Sequence, residues 1–383
     1  MLVVGGGAAG HACVEWYRDA GGTSPVVLLS ADDRPPYFRP HVSKDFLTGE
    51  VGREELGLVD PTWYAAHDID LVLGCDVTGL DVGARLATTS LGPVRWGRCV
   101  LATGSGASSL PVPGGDDPDI VTVRAAADAE RLLDRASDGG PVVIVGSGFV
   151  GCEVAASLRR HGLGVHMVSN EQRPQQDRLG EPVGHLIEGW LLDTGVELTG
   201  GQAVDAIERT GSAFVVRLRD HPPIEAAHLV VAVGARPRVE LAGSLGLDGG
   251  IDVDATMHTT VADFLAVGDI ANAWNELADR RVRVEHWGDA EAHGRIAGRS
   301  LAGEPTPWRT VPGFWSTIAE QTIKYVAWGD GHDDVHVVSS SSGMTVWYGR
   351  EGVVVGVLTH EHDDDNAVAE AAVGDRWSFP VHG

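Results

Sequence analysis

The chain has 383 residues, 43% of them hydrophobic and 22% charged, which is enough for two or three domains with a core in each. Its 54 acidic and 29 basic residues give a formal net charge of −25, which argues against nucleic acid and anionic membrane surfaces as partners. No apolar run approaches membrane-spanning length, and the chain starts directly in a strand with nothing like a signal peptide before it, so cytoplasm is the expected compartment. Cys13, Cys75, Cys99 and Cys152 form no C-x-x-C and no ligand-like spacing; they read as structural, and no metal site is expected.

In chain order, the apolar run Leu2-Val3-Val4 meets Gly5-Gly6-Gly7-Ala8-Ala9-Gly10, and a helical segment, Ala12 to Ala20, follows. This is the strand, Gly-x-Gly-x-x-Gly turn and helix of a dinucleotide cradle. Gly5 permits the turn, Gly7 admits a pyrophosphate, and Gly10 lets helix and strand pack closely. Strand Pro25–Leu29 completes the unit, and Asp32 and Asp33 are candidates for binding ribose hydroxyls. A proline-stiffened loop, Arg34 to Lys44, then holds Arg39 and Lys44 in fixed places. Short strands are expected at Asp70–Leu73, Gly79–Val82 and Arg98–Ala102, and the last of these ends in Thr103-Gly104. Leu110 to Pro118 reads as a linker and Ala125–Ala136 as a helix.

The cradle then recurs: Val142–Val145, Gly146-Ser147-Gly148-Phe149-Val150-Gly151, and a helix to His161, followed by strand Val165–Val168. Two such units point to two bound dinucleotides, with a flavin expected on the first and a nicotinamide cofactor on the second. A helix at Pro182–Thr194 leads to strands near Val204–Glu208, Ala213–Leu218 and Leu229–Val233. The turn at Gly234 comes next, then a strand ending at Gly268-Asp269 and a helix from Asp289 to Leu301. Beyond the proline joint at 304–307, a hairpin (Met344–Tyr348, Val353–Leu358) and a short helix near Asp365–Val373 close the chain. The expected class is α/β: two Rossmann-like domains, 1–110 with 234–305 and 111–233, plus a smaller α+β C-terminal domain, 306–383.

These motifs, together with Arg39-Pro40-x-x-Ser43-Lys44, Ala102-Thr103-Gly104, Gly234-x-x-Pro237, Glu285-x-Trp287 and Phe314-Trp315-Ser316, resemble the FAD-dependent pyridine nucleotide reductases of the ferredoxin reductase type. Those enzymes serve Rieske dioxygenases, haem monooxygenases and rubredoxins, and apoptosis-inducing factor is a relative. The resemblance implies hydride transfer from NADH or NADPH to FAD, then single electrons to a ferredoxin-like or other carrier protein. It places Asp269 on the flavin's ribityl hydroxyls and Trp287 at the pyrimidine end of the ring. Asp269 as a plain helix cap and Trp315 as ordinary core are the competing readings. Lys44 and Glu153 are expected to meet beside the ring as the catalytic pair, with a surface salt bridge as the alternative. Flavin contacts are thus expected from Gly5, Gly7, Gly10, Asp32, Arg39, Lys44, Thr103, Gly104, Asp269, Trp287 and Trp315. Nicotinamide nucleotide contacts are expected from Gly146, Gly148, Gly151, Glu153, Ser169, Arg173 and Gly234.

Three departures from the family pattern matter. Where NADH-preferring relatives carry an acid, the chain has Ser169-Asn170, with Glu171 two positions on; Arg173 and Arg178 are candidates for a 2′-phosphate, so the choice between NADH and NADPH stays open. Arg238 and His293 stand where Asn and Gln are usual, and Thr317 where an acid is. Acids at Asp330, Asp333, Asp334, Glu361 and 363–365 would repel an acidic carrier, which leaves an NAD(P)H oxidase or dehydrogenase with a small acceptor as a second reading. His360 and His362 in that stretch read as a solvated loop rather than a metal site. A redox-sensing flavin-bearing binding protein is a third reading, and the oligomeric state, monomer or homodimer, is open.

Overall fold

Leu2–Val4 and Cys99–Leu101 are apolar on both faces, as central strands of a covered parallel sheet must be. In the computed structural model, which describes residues 1–247 and 250–379, they sit at the middle of a five-stranded parallel sheet. Its order is Phe264–Ala266, Cys99–Leu101, Leu2–Val4, Val26–Leu29, Ile69–Val72. The last four residues of the expected C-terminal domain, 380–383, lie outside the described residues.

The second cradle repeats the arrangement: Glu197–Thr199, Val165–Val168, Val142–Val145 and His228–Val231 form a parallel four-stranded sheet. Between the two halves runs a two-stranded antiparallel crossing, Ser105–Ala107 against Ala235–Pro237. A third sheet is wholly antiparallel, in the order Gly313–Ile318, Gln321–Ala327, Val353–His360, Met344–Arg350, Asp334–Ser339.

The structure adds hairpins that the sequence pattern did not suggest. Gly313–Ile318 and Gln321–Ala327 are joined by Ala319 and Glu320, both at positive φ (51° and 70°). That is the backbone of a two-residue hairpin turn, made without the Asn-Gly or Asp-Gly pair that normally announces one. Ala271–Asn275 and Arg280–Arg283 form a second hairpin.

Two packings frame the site, one inside the first cradle's domain and one shared between segments. Helix Ala8–Asp19 crosses helix Trp287–Leu301 at Gly294 and Gly298, where an added Cβ would lie 2.3 Å from the Ala9 carbonyl oxygen and 2.4 Å from that of Cys13. The second core is shared: Tyr37 and Val42 of the proline loop, with Phe46 and Leu47 of the short helix Asp45–Thr48 that follows it, pack with Val154 and Leu158 of the Phe149–Arg160 helix and with Ile318 and Ile323 of the third sheet. Glu130 of helix Ala126–Ala136 also pairs with Arg34 and Arg53, both at 2.6 Å, so the loop is fastened by charge as well as by apolar contact. With Arg53 67% exposed, such pairs add less than the shared core, which fixes the loop's position.

His11 and His293 lie inside these packings, the latter edge-on to Trp308 at 4.5 Å and fully buried. Burial lowers both from 6.5 to about 4. Both folded values lie below the unfolded one, so the stability they contribute is fully present above pH 6.5 and drains away as pH falls toward 4. Urea midpoints should therefore drop between pH 7 and pH 5, and less so in His293→Gln. Gly298→Val should destabilise the fold by roughly 1–3 kcal/mol by forcing the two helices apart, measured in the same titration.

Candidate functional site

Both glycine turns form as the sequence requires. Gly5 sits at φ +121° with its α-hydrogens against the Ala102 carbonyl, and Gly146 at φ +109° against that of Ala232. The helices that follow begin at Gly7 and Gly148 with no side-chain cap, so their first N–H groups stay free for an anion. Nothing lies within 4 Å of a Cβ built on Gly7, which leaves the space a pyrophosphate needs.

The two turns open into one cleft of about 1450 Å³, beyond the size of an ordinary single-ligand pocket. Gly5, Gly7, Asp32, Arg39, Lys44, Thr103, Gly104, Asp269, Trp287 and Trp315 line it, as do Gly148, Glu153 and Gly234. Gly10, Gly146, Gly151, Ser169 and Arg173 are not on its wall. Gly10 and Gly151 instead touch the backbone of Gly5 and Gly146, closing each turn on its helix.

At the centre is the Glu153 carboxylate, with its side chain 6% exposed. Lys44 Nζ lies 3.0 Å from Oε1, and Ser316 donates to the same oxygen at 2.7 Å. Ser43 donates to Oε2, and Ser157 from the next turn of the same helix donates to the Ser43 carbonyl at 2.9 Å. Three separate segments thus converge on one buried anion: the proline loop, the second cradle's helix and the third sheet. Burial removes this pair from the regime of exposed salt bridges, where an ion pair is worth little.

Asp269 follows Gly268 (φ +73°) in a short 3-10 turn, and its carboxylate accepts a 2.6 Å hydrogen bond from Arg124. Beside it, burial and the negative charge of Asp269 raise the Glu285 carboxyl above the usual range, and Glu285 Oε1 has no hydrogen-bond partner. Asp32 accepts from the Tyr37 hydroxyl at 3.0 Å and the Arg34 amide at 3.3 Å. Phe38 lies between the two indoles, edge-on to Trp287 at 5.1 Å and stacked on Trp315 at 6.3 Å. Trp315 is 40% exposed, so it is cleft wall and not ordinary core. Thr103 donates to the Arg238 carbonyl, tying the first cradle to the crossing between the halves.

The end of strand Val165–Val168 is occupied otherwise. Ser169 is buried and shares a 2.7 Å hydrogen bond with Ser147. Arg173 is committed to Glu188 at 3.2 Å and Glu181 at 3.7 Å. Arg178 faces Phe149 and Phe314.

Sequence reasoning did not single out Arg124, Phe38, or the roles of Ser43 and Ser316. The two serines carried a signal, since each adjoins a motif residue. Arg124 had none, because its partner is 145 residues away. In the acidic C-terminal stretch, His362 bonds Thr345 and Ser340, and His360 bonds the Thr322 carbonyl at 3.0 Å. All four cysteines are free and buried, and burial raises the Cys13 thiol to about 12.

Residues 1–294 match the pyridine nucleotide-disulphide oxidoreductase family. The chain belongs to that family. It is 30% identical over 374 residues to human apoptosis-inducing factor 3 (Homo sapiens), covering 95% of this chain but 61% of that protein, so it spans about three fifths of that relative. Rhodocoxin reductase of Rhodococcus erythropolis is 31% identical over 347 residues, 89% of this chain and 81% of the reductase. A crystal structure of a covalent putidaredoxin reductase–putidaredoxin complex superposes with a TM-score of 0.90 at 27% identity, over 98% of this chain and 94% of that one. Family membership brings FAD and NAD(H) as cofactors, and the open space at Gly7 and the uncapped helix starts fit groups of that kind.

If Asp269 and Arg124 shape the flavin end, Asp269→Ala should lose FAD on gel filtration. Arg124→Ala should lose it less completely, because the acceptor oxygens remain. Absorbance at the flavin band against protein absorbance measures both.

Proposed function

We propose that the protein is an NADH-dependent flavoprotein reductase that delivers electrons to a ferredoxin-like or rubredoxin-like carrier protein in the cytoplasm. FAD is held by residues 1–110 and 234–305 and the nicotinamide nucleotide by 111–233, with 306–383 closing the cleft. The observation that carries this reading is the Lys44–Glu153 pair, buried where the two cradles face one another and supported by Ser43 and Ser316. The names of the relatives support the same reading, rhodocoxin reductase among them.

When bound, FAD supplies the chemistry: it takes up two electrons together and releases them one at a time. The protein's own residues do the rest. Glu153 holds Lys44 in one place, and Lys44 presents its ammonium to the cleft, where a buried charge acts more strongly than in water. The two serines donate to the two carboxylate oxygens and hold Glu153 in place beside Lys44. Trp287 and Trp315, spaced by Phe38, wall the cleft and exclude water from it. Orientation contributes most of the acceleration, since this transfer needs close approach and little proton movement. Disulfide reduction does not fit, because no cysteine pair reaches the cleft among the described residues.

A second reading takes a small molecule as acceptor. It is favoured by the acidic start of the helix Asp363–Ala372, where Asp363 is paired with Lys324 while Asp364 and Asp365 add negative charge against any acidic carrier. Steady-state NADH oxidation with oxygen alone, then with added ferredoxin, separates the two: a large stimulation by the carrier supports the first.

Lys44→Ala should retain FAD yet slow its anaerobic bleaching by NADH by tenfold or more, about 1.4 kcal/mol in the barrier. Wild-type bleaching rates in stopped flow would contradict the role given to this lysine.

A further inference from the structure

The acidic stretch 360–365 does not stand alone in solvent. It lies against the turn that joins strand Asp334–Ser339 to strand Met344–Arg350, on the third sheet and off the cleft wall. Four serines in a row, Ser339 to Ser342, and then Gly343 make that turn. A Cβ built on Gly343 would lie 2.3 Å from the His360 carbonyl oxygen and 2.9 Å from Cδ2 of His362. Glycine is what lets the imidazole of His362 lie over the turn.

Four side chains there form a single chain of hydrogen bonds. The Asp365 carboxylate accepts from the Thr345 hydroxyl, Thr345 Oγ1 lies 2.8 Å from His362 Nδ1, and His362 Nε2 lies 2.8 Å from Ser340 Oγ. An ionised carboxylate only accepts, so Thr345 commits its one proton to Asp365 and must accept from Nδ1–H. That fixes the tautomer of the neutral imidazole and leaves a lone pair on Nε2 facing Ser340. Nε2 is closer to Ser340 Oγ than the other acceptors in reach, Ser342 Oγ at 3.2 Å and the Gly343 carbonyl at 3.4 Å, so the hydroxyl proton points at the ring. The amides of Ser342 and Gly343 donate to Ser340 Oγ at 3.2 and 3.1 Å, which stabilises negative charge on that oxygen as its proton leaves. Thr345 is fully buried and the His362 side chain is 18% exposed, while Ser340 faces solvent. The relay is held inside the fold and its reactive end opens outward.

We propose that Ser340 is a nucleophile for acyl transfer from small uncharged activated esters, with His362 as its general base and Thr345 and Asp365 as positioning residues. Serine, imidazole and carboxylate stand in the order of a hydrolase relay, with one hydroxyl inserted between the last two. Ser340 Oγ bonds to the acyl carbon and its proton passes to His362 Nε2. The bond from the acyl carbon to the leaving oxygen then breaks, and that oxygen takes the proton from the imidazolium. Water repeats the sequence on the acyl-serine, releases the carboxylic acid and restores the hydroxyl, so the sum is hydrolysis of one ester by one water. Glu361, Asp364 and Asp365 crowd the same stretch and disfavour anionic acyl donors. None of the four relay residues lines the cofactor cleft, so this activity does not depend on the reductase reading.

The test mixes the FAD-loaded protein with p-nitrophenyl acetate, follows p-nitrophenolate release, and maps the acetyl group by mass spectrometry after acid quench. The chain has only two lysines, Lys44 and Lys324, so amine acetylation is readily told from acetylation of the turn. Acetyl is expected on Ser340 and not on Ser339, Ser341 or Ser342. His362→Gln should slow its formation by about a hundredfold, the low end of what a general base supplies. Thr345→Val should slow it as well, and Thr345→Ser should restore it, because serine keeps the hydroxyl. Melting temperature and flavin reduction by NADH check that each variant is folded. Wild-type protein without acetyl on Ser340, acetyl spread evenly over the four serines, or an unchanged rate in His362→Gln overturns the proposal.

Discussion

The Glu153 carboxylate is the point on which the architecture turns. A carboxylate buried this deeply is costly unless each oxygen is satisfied, and removing a partner from a buried ion pair costs about 3–5 kcal/mol. Here the donors come from residues 43 and 44 on one side and 316 on the other, so the anion cannot be satisfied by its own helix. The two cradles and the third sheet must be in register before it is. The same demand that stabilises the junction also sets the position of Lys44, and site geometry and domain packing become one constraint.

Apolar packing meets that constraint from beneath. Val42, Phe46 and Leu47 are buried against Val154 and Leu158, so the loop carrying Ser43 and Lys44 is anchored within a turn of the helix that carries Glu153. The prolines of that loop reduce the conformations lost on folding, and the Glu130 pairs with Arg34 and Arg53 trim them further. On the opposite side, Gly294 and Gly298 let the Trp287–Leu301 helix lie against the first cradle's helix. That close crossing brings Trp287 to the cleft wall. Polar site and apolar core are therefore not separable layers in this molecule.

Charge is distributed with the same economy. The chain is acidic overall, and the cleft wall mixes both signs: Lys44 and Arg124 are paired with Glu153 and Asp269, while Arg39 and Arg178 lie on the same wall.

What the sequence determined by itself was local. Each glycine turn is a contiguous pattern whose steric logic operates within ten residues, so the two cradles, the strands around them and the α/β class were legible; strand Val165–Val168 and the hairpin strand Ala213–Leu218 were bounded to the residue. The Lys44–Glu153 pair was legible only through resemblance, since nothing in either segment announces the other. Tertiary structure alone decided what depends on distance in the chain: Arg124 on Asp269, Ser316 on Glu153, Phe38 between two indoles, Arg173 consumed by glutamates while Arg178 stays free. The hairpin at Ala319-Glu320 belongs with these, because its left-handed turn is held by the pairing of the strands on either side and not by the residues within it. A side chain's type fixes which bonds it can make, but only the folded chain brings it within reach of a partner.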